Sequence, residues 1–156
     1  MKNEYLNLYN SFIKLTTNKS LYKGILSQQD VFSDRLTLFL LHFAFFLKEF
    51  KNLENQKILQ EIYDFNFRQL ELNIREIGYG DQSVNKKMKD YINNFHAIIS
   101  NIHFWNQLDH LEKKKKISPF LSNFHNIEYL IDYFDEFRKN LEKKTLKSFL
   151  KSVSNH

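Results

Sequence analysis

Three histidines, His96, His103 and His110, recur every seven residues and have the clearest capacity for chemistry in this sequence. The pattern around them predicts one shared helix, on which neighbouring members lie about 10.5 Å apart along the axis. No two of them then reach the same metal ion. The chain also has no cysteine, which excludes disulfides, thiolate ligands and cysteine nucleophiles. We therefore expect neither a metal ion nor a cofactor.

Sequence motifs of common catalytic and nucleotide-binding sites are missing. Gly78-Tyr79-Gly80 follows a helical pattern and lacks the third glycine of a dinucleotide-binding loop. No Walker loop, HExxH or GxSxG sequence occurs. The carboxylates are scattered over helix faces, and no two of them stand out as an acid–base pair. The sequence thus predicts a protein that is not an enzyme and has no catalytic residues.

The segment Gly78-Tyr79-Gly80, called the glycine turn below, holds two of only three glycines in the chain. A glycine at the end of a helical pattern predicts a C-terminal cap with left-handed backbone at Gly78. Asp81 or Ser83 is then expected to be the N-cap of the next helix. This pattern predicts how the chain reverses, without indicating what the turn is for.

Basic side chains lie on both sides of the glycine turn. Lys86, Lys87 and Lys89 fall in the first turns of the following helix, where positive charge opposes the helix dipole. Because local stability does not favour that arrangement, it suggests a binding role. Arg68 and Arg75 lie on the exposed side of the preceding helix. These five cations are the predicted rim of a binding surface.

All of the net charge lies in the last third of the chain. Residues 113–156 carry ten Lys and Arg against five Asp and Glu, whereas residues 1–112 carry thirteen of each. Such a segment could attract RNA or a surface of lipid phosphates. It could equally be a solvated, lysine-rich helix face. The sequence leaves both interpretations open.

The most apolar segment, residues 34–50, predicts a buried central helix. From Leu36 to Leu47 only Thr37 and His42 interrupt the hydrophobic side chains. These residues span about 18 Å as a helix, short of the ~30 Å hydrocarbon core of a bilayer. His42 is expected to be a hydrogen-bonded core histidine.

Apolar spacings of three and four predict further helices. They cover residues 4–15, residues 58–77, a long segment that begins at residue 84, and residues 127–143. The lysines at 113–116 are expected to end the long segment, and Asn126 is expected to be the N-cap of the last helix. Residues 20–33, with Gly24, suggest a loop or short helix. Ser118-Pro119 should begin a short helical piece, and the chain beyond Lys143 is expected to fray.

The predicted fold is all-α, an irregular bundle of about five or six helices in a single domain. Residues 1–112 are expected to form its core, with 113–156 as a basic helical segment packed on that core or extending from it. The first residues, MKNEYLNLYNSF, contain no continuous apolar stretch and predict no secretory signal.

Three pieces of the sequence resemble the ubiquinol–cytochrome c chaperone family of alphaproteobacteria and mitochondria. They are DRLTLFLLH from Asp34 to His42, FRQLELNIREIGYGD over residues 67–81, and Val84 followed by Lys86-Lys87-Met88-Lys89. The middle piece, an acidic and arginine-bearing helix end that leads into G-x-G-D-x-x-V-x-K, is the most specific. The resemblance covers roughly residues 5–107.

This resemblance implies an all-helical, non-enzymatic chaperone that binds newly made cytochrome b and helps to assemble the cytochrome bc1 complex. Mitochondrial members work near the ribosomal tunnel exit with a small partner protein. The implied location is the cytoplasm beside the bacterial inner membrane, or the matrix side in mitochondria. No DNA partner is expected. The alternative from the residues alone is an RNA- or ribosome-binding protein that uses the basic C-terminal segment, which could also contact a membrane surface.

The candidate client-binding residues surround the glycine turn, and three residues of the central helix are candidates for either a structural or a binding role. The first group is Arg68, Arg75, Glu76, Gly78, Tyr79, Gly80, Asp81, Lys86, Lys87 and Lys89. The second group is Asp34, Arg35 and His42, which together with Glu76 could instead be internal polar ties between helices.

Overall fold

Seven α-helices occupy most of the chain in a computed structural model that describes residues 2–22 and 32–154. They are α1 (Lys2–Leu15), α2 (Phe32–Phe50), α3 (Gln56–Glu76), α4 (Asp81–Ile102), α5 (His110–Ile117), α6 (Ile127–Glu142) and α7 (Leu146–Ser154). Short 3-10 segments cover Lys19–Tyr22, Trp105–Gln107 and Ser118–Phe120. The predicted all-α single domain is confirmed, with slightly more helices than expected. The loop or short helix predicted around Gly24 lies outside the described residues.

Helix α2 is the centre of the bundle, as its apolar composition predicts. Residues 38–46 are all buried, which fits a helix that is hydrophobic on every side. It packs against α1, α4 and α6. Within the described residues, no helix is both long enough and apolar enough to cross a membrane.

Aromatic side chains of α2 join the two halves of the chain. The Phe43 ring lies 5.0 Å from that of Phe95 on α4. Two residues further on, the Phe45 ring lies 5.0 Å from Trp105 and 5.1 Å from Phe134 on α6. Ring pairs at such separations add attraction beyond the area they bury. The core therefore runs without interruption from the N-terminal helices to α6.

The long helix predicted from residue 84 through the lysines at 113–116 is instead two helices. Helix α4 ends at Ile102, and Asp109 caps α5 through a capping box with Glu112. Between them Trp105 is fully buried, and its indole N–H donates to Asp135 at 2.7 Å. Burial of this side chain against α2 and α6 requires the chain to leave the α4 axis. His110 consequently lies on α5, so the three histidines do not share a helix.

The prediction that the chain frays beyond Lys143 is wrong, because α7 is a packed helix. Leu146 and Leu150 are buried, and α7 lies against α1. The Phe149 ring contacts the rings of Phe46 and Phe50 on α2. Thr145 and Ser148 cap the start of α7 by mutual side chain to backbone hydrogen bonds of 3.0 and 3.1 Å. Apolar packing therefore outweighs the repulsion among the lysines of this segment.

Of the other predicted helix caps and ends, two agree with the structure and one differs. Asn126 caps α6 by accepting from the Tyr129 N–H at 3.2 Å, as predicted. Pro119 lies at the start of the 3-10 segment Ser118–Phe120, also as predicted. The helix predicted over residues 58–77 ends one residue early, at Glu76, and Ile77 is 58% exposed.

Candidate functional site

The glycine turn reverses the chain between α3 and α4. Gly78 has φ +107°, and its N–H donates to the Arg75 carbonyl oxygen at 3.0 Å. The positive φ predicted for Gly78 is therefore confirmed. Since a Cβ built on Gly78 meets no atom within 4 Å, the backbone angle alone disfavours other residues here.

The N-cap of α4 is Gly80, which corrects the expectation of Asp81 or Ser83. Gly80 has the extended conformation typical of an N-cap, with φ −73° and ψ 165°. Its carbonyl oxygen accepts from the Val84 N–H at 2.9 Å. Asp81 is instead the first helical residue, where a carboxylate interacts favourably with the helix dipole.

Arg75 bridges the two helices across the glycine turn. Its guanidinium donates to the Asp81 carboxylate and lies 3.8 Å from the Glu71 carboxylate. Both acids are on the surface, so this bridge adds little stability. It does neutralise Arg75. Arg75 therefore fastens the turn, while the rest of the predicted rim carries the unpaired charge.

The other predicted cations are open to a partner. Arg68, Lys86 and Lys89 are exposed, and none of them makes an ion pair in the part of the chain that the structure describes. The Lys87 ammonium lies 4.6 Å from the centre of the Tyr79 ring, a cation–π contact. Tyr79 is itself 42% exposed. The glycine turn thus presents positive charge beside apolar surface.

The predicted residues of α2, together with Glu76, divide into buried and exposed positions. Asp34 is buried and accepts from the Asn123 side-chain amide at 3.2 and 3.3 Å. The Arg35 guanidinium lies 6.0 Å from the centre of the Phe32 ring, and the residue is exposed. Glu76 is exposed as well, which corrects its suggested role as an internal tie.

His42 is a core histidine, as predicted. Its Nδ1 lies 2.7 Å from the Leu38 carbonyl oxygen and its Nε2 lies 2.6 Å from the Tyr133 hydroxyl. Because a carbonyl only accepts, Nδ1 carries the proton and Tyr133 donates to Nε2. Burial lowers the pKa of His42 to about 4, so the ring is neutral near pH 7.

His96, His103 and His110 have three separate environments. The Tyr63 hydroxyl lies 2.9 Å from Nε2 of His96. The His103 ring packs on that of Phe104, and Nε2 of His110 lies 3.5 Å from the Asp132 carboxylate. Among the described residues, no three His, Cys, Asp or Glu side chains come together as a metal site would require.

A second surface feature, which the sequence did not indicate, is an open groove of about 840 Å³ at the other end of α3 and α4. The end of α2, the start of α3 and the end of α4 form its walls, and Leu53 of the α2–α3 connection lines it. Leu53 is 91% exposed. The only signal in the sequence is a leucine in the otherwise polar stretch KNLENQ. Residues 56–76 of α3 place this groove about 30 Å from the glycine turn.

Exposed apolar side chains with polar and charged groups around them are features of a surface that binds a partner. Comparison with known protein families agrees with this class. Residues 26–102 match the family model described as ubiquinol-cytochrome C chaperone. Over this span, just under half of its length, the chain is similar to the ubiquinol–cytochrome c chaperone family, and this similarity supports the general role of such a chaperone. Comparisons with curated proteins and with solved structures gave no match.

The matched span covers α2, α3 and α4. It includes the glycine turn, the lysines that follow it and all residues that line the groove except His103. It is shorter than the resemblance seen in the sequence, which extended to residues 5–107. Helix α1 and the chain after Ile102 lie outside it.

Proposed function

We propose that the protein is a non-enzymatic assembly chaperone that binds newly synthesised cytochrome b and promotes assembly of the cytochrome bc1 complex. The observation that carries the proposal is the family match over residues 26–102. The candidate binding residues around the glycine turn all lie inside that span.

The chemistry of the surface supports this proposal. A newly made membrane protein offers apolar helices flanked by short polar loops and charged ends. A chaperone for it needs apolar contacts with charge beside them. Ile77 and Tyr79 supply exposed apolar surface at the glycine turn, and Lys86, Lys87 and Lys89 supply the charge.

The proposed place of action is beside the bacterial inner membrane on its cytoplasmic side, or on the matrix side in a eukaryote. The candidates for contact with a ribosome or membrane surface are three of the exposed C-terminal lysines, Lys143, Lys147 and Lys151.

The alternative function, RNA binding by the C-terminal segment, gains no specific support. Lys113 pairs with Asp135 at 3.1 Å, and Lys114 pairs with Glu128 at 2.7 Å. The bond from Lys114 also holds the pKa of Glu128 below its ordinary value. Part of the charge that would attract RNA is therefore already neutralised within the protein.

Crosslinked affinity capture of the tagged protein from its native cells, read by mass spectrometry, tests the proposal. Enrichment of cytochrome b without the mature oxidoreductase is the expected result. Recovery of ribosomes or RNA alone, lost at moderate salt, would overturn the chaperone assignment in favour of the alternative.

Replacement of Lys86, Lys87 and Lys89 by Ala tests the proposed surface. Because these side chains lie on the surface of α4, we expect unchanged thermal unfolding and weaker capture of cytochrome b. The matched control replaces three exposed lysines outside the family span, Lys115, Lys116 and Lys139. Equal capture by both variants would remove the glycine-turn lysines from the site.

A further inference from the structure

The groove at the far end of α3 and α4 has an apolar floor. Leu59 is buried and Ile99 partly buried, and the partly buried Leu47 lines the groove at the end of α2. Leu53 stands beside them with almost its whole side chain exposed. Full burial of an exposed leucine side chain by a partner contributes about 1.5–3 kcal/mol of favourable free energy.

The groove also carries positive charge, and no acidic residue lines it. Its cations are Lys48 and Lys51. Neither lysine forms an ion pair within the part of the chain that the structure describes. The remaining polar lining is uncharged Asn and Gln together with Tyr63, His96 and His103. An occupant with a carboxylate therefore complements this groove, and a cationic occupant is repelled.

The environment of Lys48 agrees with that complementarity. Burial lowers the pKa of its ammonium, Glu49 partly opposes this effect, and the Arg138 guanidinium adds to it. Glu49 lies 4.0 Å from Arg138, so its charge is shared with that residue. A further carboxylate at the groove would stabilise the charged form of Lys48.

We infer that this groove is a docking site for a partner helix that has an apolar stripe and carboxylates at one end. The groove is open along one side and is formed between helices, which suits an amphipathic helix laid into it. A flat lipid surface would touch Leu53 but could not reach Leu59 or Ile99 on the floor. The apolar stripe would cover Leu53 and the floor, and the carboxylates would meet Lys48 and Lys51.

This inference deepens the proposed function. It rests on that function for the identity of the client, whereas the chemistry of the groove is independent of it. If the client is cytochrome b, the groove is where an apolar helix with an acidic end would be held. The site is separate from the glycine turn, so each surface can be altered without the other.

Binding of two synthetic helical peptides to the full-length protein, followed by fluorescence anisotropy, tests the inference. Both have about 16 residues, with leucines spaced by three and four. One carries two glutamates at an end and the other carries two lysines there. We expect the glutamate peptide to bind at least about tenfold more tightly than the lysine peptide.

Two substitutions in the groove should change this result in different ways. Lys51→Glu should reduce or reverse the preference for the glutamate peptide, because it changes the sign of one of the two charges. Leu53→Ser should weaken both peptides about tenfold, because it removes the exposed apolar contact. Both residues are exposed, so neither change should alter thermal unfolding.

The matched controls are Lys115→Glu and Leu111→Ser, which alter an exposed lysine and an exposed leucine outside the groove. They should leave peptide binding unchanged.

The inference is overturned if Lys51→Glu keeps the wild-type preference, or if the controls weaken binding as much as the groove variants. It is also overturned if the protein floats with vesicles of phosphatidylcholine and phosphatidylglycerol through Leu53 but binds neither peptide. Peptide binding without capture of cytochrome b from cells would contradict the proposed function and leave the groove assignment standing.

Discussion

His42 ties α2 to α6 through a hydrogen bond that exists only while its ring is neutral at Nε2. Tyr133 donates to that nitrogen, and the rings of Phe134 and Phe137 lie 5.0 and 5.1 Å away. Among the described residues, no carboxylate contributes to the pKa of His42, so none stabilises a charged imidazolium there. Tyr133 itself does not titrate near neutral pH, since burial raises its pKa to about 12.

This environment predicts loss of stability in weak acid. The pKa of His42 is about 4 in the folded chain and 6.5 ordinarily, so between these values the unfolded chain binds a proton that the folded chain does not. As pH falls from about 6.5 to about 4, the free energy of unfolding should drop by up to about 3 kcal/mol from this residue. Urea unfolding at a series of pH values measures it. A His42→Gln variant should be less stable at pH 7 and should lose that part of the pH dependence, whereas parallel curves for the two proteins would contradict the assignment.

The two glycines of the turn give a matched pair of substitutions with opposite expected signs. Gly78→Ser should lower stability by about 1–2 kcal/mol, because φ +107° strains any residue with a Cβ. Gly80→Ser should raise stability by about 0.5 kcal/mol, because serine is a better N-cap and Gly80 already has the N-cap conformation. Thermal or urea unfolding distinguishes them. Equal effects of the two changes would show that the backbone at Gly78 is not the cause.

At the scale of elements, α7 gives the clearest test. Leu150 is buried in the face of α7 that packs on the bundle, and its neighbour Lys151 is exposed. Leu150→Ala should cost about 2–4 kcal/mol of stability, as expected for a large-to-small change in a packed core. Lys151→Ala should change stability by less than about 0.5 kcal/mol. If both variants unfold like the wild type, α7 is not part of the cooperative unit.

Helix content was predictable from apolar spacing, and helix boundaries were less so. The stripe Phe95, Ile98, Ile102 and Trp105 keeps helical spacing through the end of α4, with no glycine or proline to mark the break. What ends the helix is a tertiary contact, the burial of Trp105 and its bond to Asp135. A pattern within one segment does not contain that information.

The end of the chain was misread for a different reason. Its lysines suggested a solvated, fraying tail, although the spacing of Leu146, Leu150 and Val153 is helical and Thr145-x-x-Ser148 is a capping sequence. The local signals for α7 were present in the sequence, but the prediction gave more weight to the lysines. Adding the cap and the apolar spacing together would have predicted this helix.

The two parts of the candidate surface were not equally predictable. The glycine turn is contiguous in sequence, so its cations and its positive φ could be anticipated from neighbouring residues. The groove combines three elements, and its floor residues Leu59 and Ile99 look like ordinary core positions in sequence. Only their placement beside Lys48 and Lys51 gives the groove its character.

At the scale of the whole molecule, the distribution of charge separates the proposed function from RNA binding. The net charge of +5 already includes the acids that pair with Lys113 and Lys114, but these two pairs leave fewer cations free to contact phosphates. We expect capture of cytochrome b to persist when salt rises from about 50 to about 200 mM. Binding through six or more phosphate contacts would weaken by orders of magnitude over the same range. Loss of the captured client at the higher salt would contradict contact through apolar surface.

The bonds from Asp34 to Asn123 and from His42 to Tyr133 reach from the family-matched span into the chain beyond it. A shortened protein that ends near residue 112 would lose both partners and expose the aromatic faces of α2 that α6 covers. Its failure to capture a client would then report misfolding and not the absence of a basic binding segment. The basic segment also contributes buried residues to the core. The role of the C-terminal lysines therefore has to be tested by single substitutions at exposed positions.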